Sequence, residues 1–282
     1  MPTFAAPTPV PVVIDVPFGN LYVVAGERDD VVVTVLPGDP TKSGSVRAAE
    51  ETRVERDGDT IRIVYPSSWK QYVLPFASGG AKVTIELPAG SNLRGKAGSL
   101  YAEGRLGVVD LNLNGGNARL DDVERLDIKV SAGSLTVGRV SGAVDAVVSA
   151  GGLRARALDG DAVVKVPNGT TEIGQTTGSL QVNGAHGEIA IDRSLGDTVA
   201  RCAHGNIRVE QAASGRVQLE SSYGSIEVGV PEGTAAWLDA TSQHGAVRNL
   251  LQDAAGPDES DLTVEVRAGT SYGDVVVRRP HA

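Results

Sequence analysis

Aromatic residues are scarce in this chain, and sulfur-containing residues scarcer still. Of its 282 residues 4% are aromatic, one is methionine and one is cysteine, whereas hydrophobic residues make up 41%. The core must therefore be aliphatic, built from Val, Leu, Ile and Ala. The single cysteine, Cys202, excludes an internal disulfide, which fits a reducing compartment.

Long runs of basic residues and long runs of apolar residues are also missing. The formal charge is −9, and no run of Lys and Arg could neutralise a nucleic-acid backbone, which argues against nucleic-acid binding. No apolar stretch approaches the roughly 18 residues that a membrane-spanning helix needs. The first residues, MPTFAAPTPVPVVIDV, lack a basic segment followed by an apolar run, so we expect no secretory signal and predict a soluble, cytoplasmic protein.

Glycine, by contrast, is abundant and regularly placed. The pattern Gly-x-apolar recurs along the chain, and its glycines 133, 151, 169, 187 and 205 follow one another at intervals of 18 residues. A second series, including Gly160, Gly178 and Gly196, falls halfway between them. A fixed step of this length is the signature of a repeat architecture in which each repeat has two halves, each closed by a turn.

Three, five and seven residues before a motif glycine the chain is almost always apolar. Before Gly133 these residues are Val130, Ile128 and Leu126, with the polar Lys129 and Asp127 between them, and before Gly151 they are Val148, Ala146 and Val144. Period-two alternation indicates strands with one buried face. The sequence therefore predicts an all-β protein, a parallel β-solenoid (β-helix) with rungs of about 18 residues. We infer a right-handed coil from the preference of parallel crossovers. A sandwich would not keep one spacing for so long, and propeller blades need about 40 residues each.

Two segments interrupt the repeat. Residues 37–80 are predicted to be an N-terminal insertion or cap, because solenoid ends expose strand edges that need covering. Residues 248–261 are predicted to be a surface loop. We expect residues 1–282 to form a single β-solenoid domain.

The repeats resemble a known family. The motifs HGNI, YGSI, HGAV and YGDV, together with the stretch KVTIELPAG, are similar to those of the bacterial β-strand-repeat family of "putative adhesins", a domain of unknown function. The similarity extends from Val12 to Arg278, in the form of a member without a signal peptide. It implies a β-solenoid and carries no chemistry of its own.

One column of residues hints at chemistry. The residue just before the motif glycine is His186, His204, Tyr223, His244 or Tyr272 in successive repeats. Histidines on adjacent rungs could hold a metal, but rungs in chain order put His244 two rungs from His204 and offer only Tyr223 between them. No carboxylate recurs beside them to orient the rings. We therefore predict ordinary turn residues, with no metal and no cofactor.

Other candidate sites have simpler interpretations. Cys202 falls in a core column with Val130, Val148 and Val166, so we expect a buried apolar residue and no nucleophile. The carboxylates of Asp127, Glu188 and Glu227 fall on scattered rungs, unlike those of polysaccharide-cleaving solenoids. Four aromatic residues cluster over positions 65–76, where they could form an end plug, which we favour, or a partner-binding surface: Tyr65, Trp69, Tyr72 and Phe76.

No catalytic, cofactor-binding or metal-binding residue is predicted. The sequence favours a non-enzymatic scaffold or protein-interaction module whose protein partner it does not name. An adhesin-like cell-surface binding protein is the alternative, and a carbohydrate-active enzyme is the third. The sequence leaves the oligomeric state open.

Overall fold

The computed structural model describes residues 2–65, 80–251 and 262–280. Those residues form 23 strands and one helix, and their long parallel pairings confirm the predicted all-β solenoid. The chain divides into two compact units, Met1–Gly138 and Arg139–Ala282, which we call unit 1 and unit 2. The single-domain organisation and the right-handed coil stay predictions.

Unit 1 begins with one long strand around which the others assemble. Its elements are β1 (Thr3–Ala5), β2 (Pro11–Gly26), β3 (Asp30–Pro37), α1 (Ser43–Glu51), β4 (Arg53–Asp57), β5 (Thr60–Val64), β6 (Ala81–Pro88), β7 (Asn92–Leu113) and β8 (Ala118–Val130). Strand β2 lies between β5 and β6 on one side and β7 on the other; all three pairings are parallel, and the register with β7 shifts between Val16 and Asn20. Strands β7 and β8 continue the parallel stacking. The next strand, β9 (Leu135–Val140), contains the boundary between the units.

The segment that interrupts the repeat, residues 37–80, has structure of its own where it is described. It forms α1 and an antiparallel hairpin of β4 and β5, whose turn contains Gly58 at φ +60°. Glycine takes this left-handed conformation without a steric penalty. Strand β5 also pairs in parallel with β2, so part of the interruption joins the solenoid sheet. Whether the whole segment acts as a cap stays a prediction.

Unit 2 shows the repeat in its most regular form. Its strands are β10 (Val144–Val148), β11 (Leu153–Leu158), β12 (Ala162–Asn168), β13 (Thr171–Thr176), β14 (Leu180–His186), β15 (Ile189–Ser194), β16 (Thr198–His204), β17 (Ile207–Ala212), β18 (Gly215–Tyr223), β19 (Ile226–Gly229), β20 (Thr234–His244), β21 (Val247–Asn249), β22 (Leu262–Tyr272) and β23 (Val275–Arg278). Even-numbered strands stack on even-numbered strands and odd on odd, always in parallel. Each rung thus has two strands, as the two glycine series predict.

The register between rungs equals the sequence period. In β14 and β16, Val182 pairs with Ala200 and His186 with His204, positions separated by one 18-residue repeat. Equivalent side chains therefore form columns, and the inward columns are aliphatic and buried. Val148, Val166 and Val182 are each at most 1% exposed. The aliphatic core expected from the shortage of aromatic residues is confirmed.

The last rungs do not follow chain order. Strand β22 pairs with β18 on one side and with β20 on the other, so the final repeat lies inside the one that precedes it in sequence. The prediction that rungs stack in chain order is wrong here. At paired inward positions β22 and β23 carry Leu262, Val264 and Val277 where β20 and β21 carry Thr234, Ala236 and Asn249, whereas Leu238 of β20 pairs with Val266. The more apolar rung gains more from burial on both sides, which favours the inner place.

Candidate functional site

Five rings stack on the surface of unit 2 in one continuous series. We call this series the ring stack; its order is His186, His204, Tyr223, Tyr272 and His244. Successive ring centroids are 5.1, 4.9, 4.9 and 4.5 Å apart, and the interplanar angles are at most 18°. All five side chains are exposed, and Tyr223 and Tyr272 are 52% and 47% exposed.

The backbone sets the spacing of the ring stack. Each ring residue ends its even-numbered strand and precedes a motif glycine, and the strands pair in register at this position. Gly187 has φ +127°, and a Cβ built on it would lie 2.0 Å from the carbonyl oxygen of Gly169 one rung away. Only glycine allows the turns to approach this closely. The rings that precede these turns are thereby held about one strand spacing apart, roughly 4.8 Å.

The rung order changes the composition of the ring stack. Because β22 lies between β18 and β20, Tyr272 stacks on Tyr223, and His244 is the terminal ring. His244 is therefore three rungs from His204, not two as chain order predicts. The two adjacent histidines, His186 and His204, remain neighbours as the spacing predicts.

The ring stack exposes hydrogen-bonding groups along its length. Parallel rings at this spacing present their edges to solvent, and each edge carries an imidazole nitrogen or a phenol hydroxyl. Only two histidines are adjacent, whereas a transition-metal site takes three or four protein ligands. Within residues 2–65, 80–251 and 262–280, no three His, Cys, Asp or Glu side chains converge as metal ligands would. That the ring stack binds no metal stays a prediction.

Cys202 is a buried residue in a column of hydrogen-bond donors. It is 5% exposed, and its thiol donates a hydrogen bond to the carbonyl oxygen of Gly187 at 3.3 Å. Ser221 and Thr270, at the same position of the next rungs, donate to the Gly205 and Gly224 carbonyls at 3.1 and 2.9 Å. Burial raises the pKa of the Cys202 thiol, which disfavours the thiolate that a nucleophile requires. The Cys202 side chain thus stabilises the turn at Gly187 through this hydrogen bond.

The three carboxylates named from the sequence do not form a site. Asp127 lies on β8 in unit 1, whereas Glu188 and Glu227 belong to unit 2. Glu227 forms an ion pair with Arg278, which also contacts Glu210 at 3.1 Å. The Arg278 side chain is largely buried, so the two carboxylates compensate a buried positive charge and have a structural role.

The aromatic cluster of residues 65–76 is described only at its first member. Tyr65 donates a backbone hydrogen bond to the Asp15 carbonyl at 2.9 Å. Trp69, Tyr72 and Phe76 lie outside the described residues. Whether they form a plug or a binding surface stays a prediction.

Unit 1 contains a second, shorter stack of rings, which the sequence analysis did not predict. Tyr22 and Tyr101 stack with centroids 5.2 Å apart, and the Lys82 ammonium lies 4.6 Å from the Tyr22 centroid. Both tyrosines follow a motif glycine, Gly19 or Gly98, by three residues. This shared three-residue offset from the motif glycine could have predicted the tyrosine pair from the sequence.

These features define a parallel β-solenoid repeat protein whose most distinctive surface is a row of stacked rings. The chain belongs to the Toastrack DUF4097 family, whose model matches residues 20–280. The resemblance drawn from the HGNI and YGSI motifs is thereby confirmed. No curated protein matches the chain.

Several solved structures are similar to this chain at low identity. A "putative adhesin" from Bacteroides fragilis NCTC 9343 is 12% identical over 98% of this chain and 95% of its own, with a TM-score of 0.35. One from Parabacteroides merdae ATCC 43184 is 10% identical over 98% and 94%, with a TM-score of 0.39. One from Parabacteroides distasonis ATCC 8503 is 14% identical over 98% and 95%, with a TM-score of 0.28. At these values the likeness carries no argument about binding.

No helix in the described part of the chain is long and apolar enough to span a membrane.

Proposed function

We propose that this protein is a non-enzymatic β-solenoid module that binds a protein partner through the ring stack. The observation that carries the proposal is the exposed series from His186 to His244, held in place by the strand ladder. Tyrosine is among the residues that most often anchor protein interfaces, because it buries a large area while its hydroxyl still finds a partner.

Preorganisation favours this surface over others in the described residues. A ring held between two neighbouring rings has already lost much of its rotamer freedom, so less entropy is lost when a partner binds. Tyr223 is held in this way between His204 and Tyr272. The ring spacing also matches the distance between neighbouring strands of a β-sheet, so a partner whose own strands stack at that distance could place side chains in step with the rings.

The carboxylate of Glu220, three residues before Tyr223 on β18, supports a binding role more than a catalytic one. Glu220 accepts hydrogen bonds from Arg201 and Gln218, and these bonds lower the pKa of its carboxyl. A carboxylate held ionised by a neighbouring arginine is poorly suited to act as a general acid at neutral pH. The absence of enzymatic activity is part of the proposal, and a glycan-release screen tests the carbohydrate-active alternative.

A matched pair of variants tests the binding surface. Tyr223→Ser/Tyr272→Ser removes the two central rings, and Tyr22→Ser/Tyr101→Ser removes the stacked tyrosine pair of unit 1. We expect a partner captured from cell extract by the wild-type protein to be lost by the first variant and kept by the second. Equal capture by both variants would contradict the proposal. Circular dichroism and melting curves establish that each variant is folded.

The cytoplasmic location is part of the same proposal. The support is the single cysteine, which is a free thiol in the described structure. Cell fractionation tests it, and recovery of the protein on the cell surface would favour the adhesin-like alternative.

A further inference from the structure

Strand β20 is the outermost long strand of unit 2. It has 11 residues and pairs with β22 along its whole length, and within the described residues it has no partner on its other side. The short strand β21 likewise pairs only with β23 among those residues. A strand paired on one side presents a row of free backbone N–H and C=O groups that can accept another strand.

Apolar side chains are exposed on and beside the rung formed by β20 and β21. Val247 is 45% exposed, whereas Val275, its partner in the same inward column, is 0% exposed. Trp237 on β20, Leu250 just after β21 and Leu262, which pairs with the first residue of β20, are all more than half exposed. An added strand would bury this surface and complete the pairing at once.

The edge of β20 lacks the features that normally prevent pairing. Its sequence, TAAWLDATSQH, has no lysine, arginine or proline, and its one charged residue is Asp239. The strands of unit 1 that are paired on one side among the described residues differ. Strand β1 has three residues, and β4 reads RVERD, in which four of the five residues are charged. Short length and charge are two of the ways in which proteins protect a sheet edge.

We propose that two copies of this chain associate through their β20 edges to form a two-fold dimer. The β20 edge needs a partner strand that is long, exposed and nearly uncharged, and β20 of a second copy meets this need. A two-fold axis makes the two strands antiparallel, which gives well-aligned hydrogen bonds and closes the assembly. Full overlap of residues 234–244 would place Asp239 opposite Asp239 of the second copy, because Asp239 is the middle residue of β20. A register shifted by two residues separates these like charges and still pairs most of the strand. The exposed residues Trp237, Val247 and Leu250 become covered.

The charges of β4 disfavour open-ended growth, in which the β20 edge of one copy would pair with the β4 edge of the next. A second copy that offered β4 to the β20 edge would align either Arg53 and Glu55, on one face of β4, or Arg56, on the other, with the inward column that contains Ala236 and Leu238. Burying those charges without partners is unfavourable. The dimer is therefore closed rather than the start of a filament, and it leaves the exposed edges of the ring stack from His186 to Tyr223 free. The inference does not rest on the proposed function, although the two surfaces meet at His244, the last residue of β20 and the terminal ring of the ring stack.

Sedimentation velocity of the full-length protein over a range of concentrations tests the dimer. We expect a mass twice that of the chain, which falls to one chain on dilution. Trp237→Lys/Leu250→Lys should weaken the dimer at least about tenfold in Kd. Arg267, which lies 5.4 Å from the Trp237 ring, keeps its ion pair with Glu265 at 2.9 Å in that variant. The matched control is Val24→Lys/Leu36→Lys, which places the same charges at exposed apolar positions of unit 1 and should leave the dimer intact.

A single-chain mass at every concentration would overturn the proposal, and so would open-ended assemblies or a dimer that both double variants leave unchanged. Hydrogen exchange gives a second measurement on the wild-type protein, which applies even if a variant fails to fold. The amides of residues 234–244 should become more protected as the concentration rises, while those of β1 and β4 should not change. Protection of β20 that does not depend on concentration would also count against the dimer.

Discussion

The rings of Tyr223 and Tyr272 stack with their centroids 4.9 Å apart and an interplanar angle of 1°. They belong to β18 and β22, and three strands of the chain, β19, β20 and β21, lie between them in sequence. The contact therefore depends on the last repeat lying inside the one before it. That rung order joins the rings into one continuous stack and places His244 at its end.

The inward column of unit 2 predicts a sharp contrast between two adjacent valines. Val148 is fully buried, whereas Val147 is half-buried on the outer face and pairs with Lys165. Val148→Asp should prevent folding, because an unpaired buried charge costs more than the roughly 5–15 kcal/mol of a typical domain can spare. Val147→Asp should change the free energy of unfolding by less than about 1 kcal/mol. Urea denaturation measures both variants, and equal tolerance would contradict the register.

The close approach of the turns predicts that one glycine is irreplaceable. Gly187→Ala would force a Cβ to within 2.0 Å of the Gly169 carbonyl oxygen, at a φ of +127° that side chains rarely adopt. The backbone conformation alone should cost on the order of 1–3 kcal/mol, and the clash adds to this. Gly26→Ala is the control, because nothing lies within 4 Å of its added Cβ. Thermal melts should show a large loss for the first variant and little change for the second.

The burial of Cys202 predicts slow reaction with thiol reagents. The native protein should label only as fast as it unfolds, and should label at once in denaturant. Cys202→Ser should fold normally, because a hydroxyl can donate to the Gly187 carbonyl as Ser221 does to that of Gly205. Rapid labelling of the folded protein would refute this placement.

The raised pKa of Cys202 also predicts a pH effect on stability. Above the ordinary thiol value of 9.0, the unfolded chain loses its proton while the folded chain still holds it. The unfolded state is then favoured, so stability that is present below that pH is lost as the pH rises through the folded pKa. The free energy of unfolding should fall more steeply with alkaline pH in the wild type than in Cys202→Ser. Parallel slopes would show that the thiol does not contribute.

The geometry of the ring stack predicts no response to zinc. His186 and His204 offer two ligands, and the next ring, Tyr223, is a poor ligand while its hydroxyl is protonated. Zinc should therefore leave the melting temperature unchanged, in the wild type and in His186→Ala and His204→Ala alike. A zinc-dependent rise that both variants abolish would make this pair a metal site.

The sequence alone determined the solenoid, its period and its inward columns, because each rung repeats one local pattern. Val148 and Val166 could be placed in one buried column by counting, and so could the contact of His186 with His204. The spacing between these residues is a property of the repeat, and the strand ladder converts it directly into distance.

Only the tertiary structure decided the order of the final rungs, and with it the end of the ring stack and the exposure of β20. Every repeat carries a strand pattern that could pair with any other, so the local sequence does not specify which rung is outermost. That choice depends on the total apolar area buried when rungs compete for the inner place, where Val264 and Val277 gain more than their paired residues Ala236 and Asn249. These rungs are far apart in sequence, so their order is settled only when the whole chain folds.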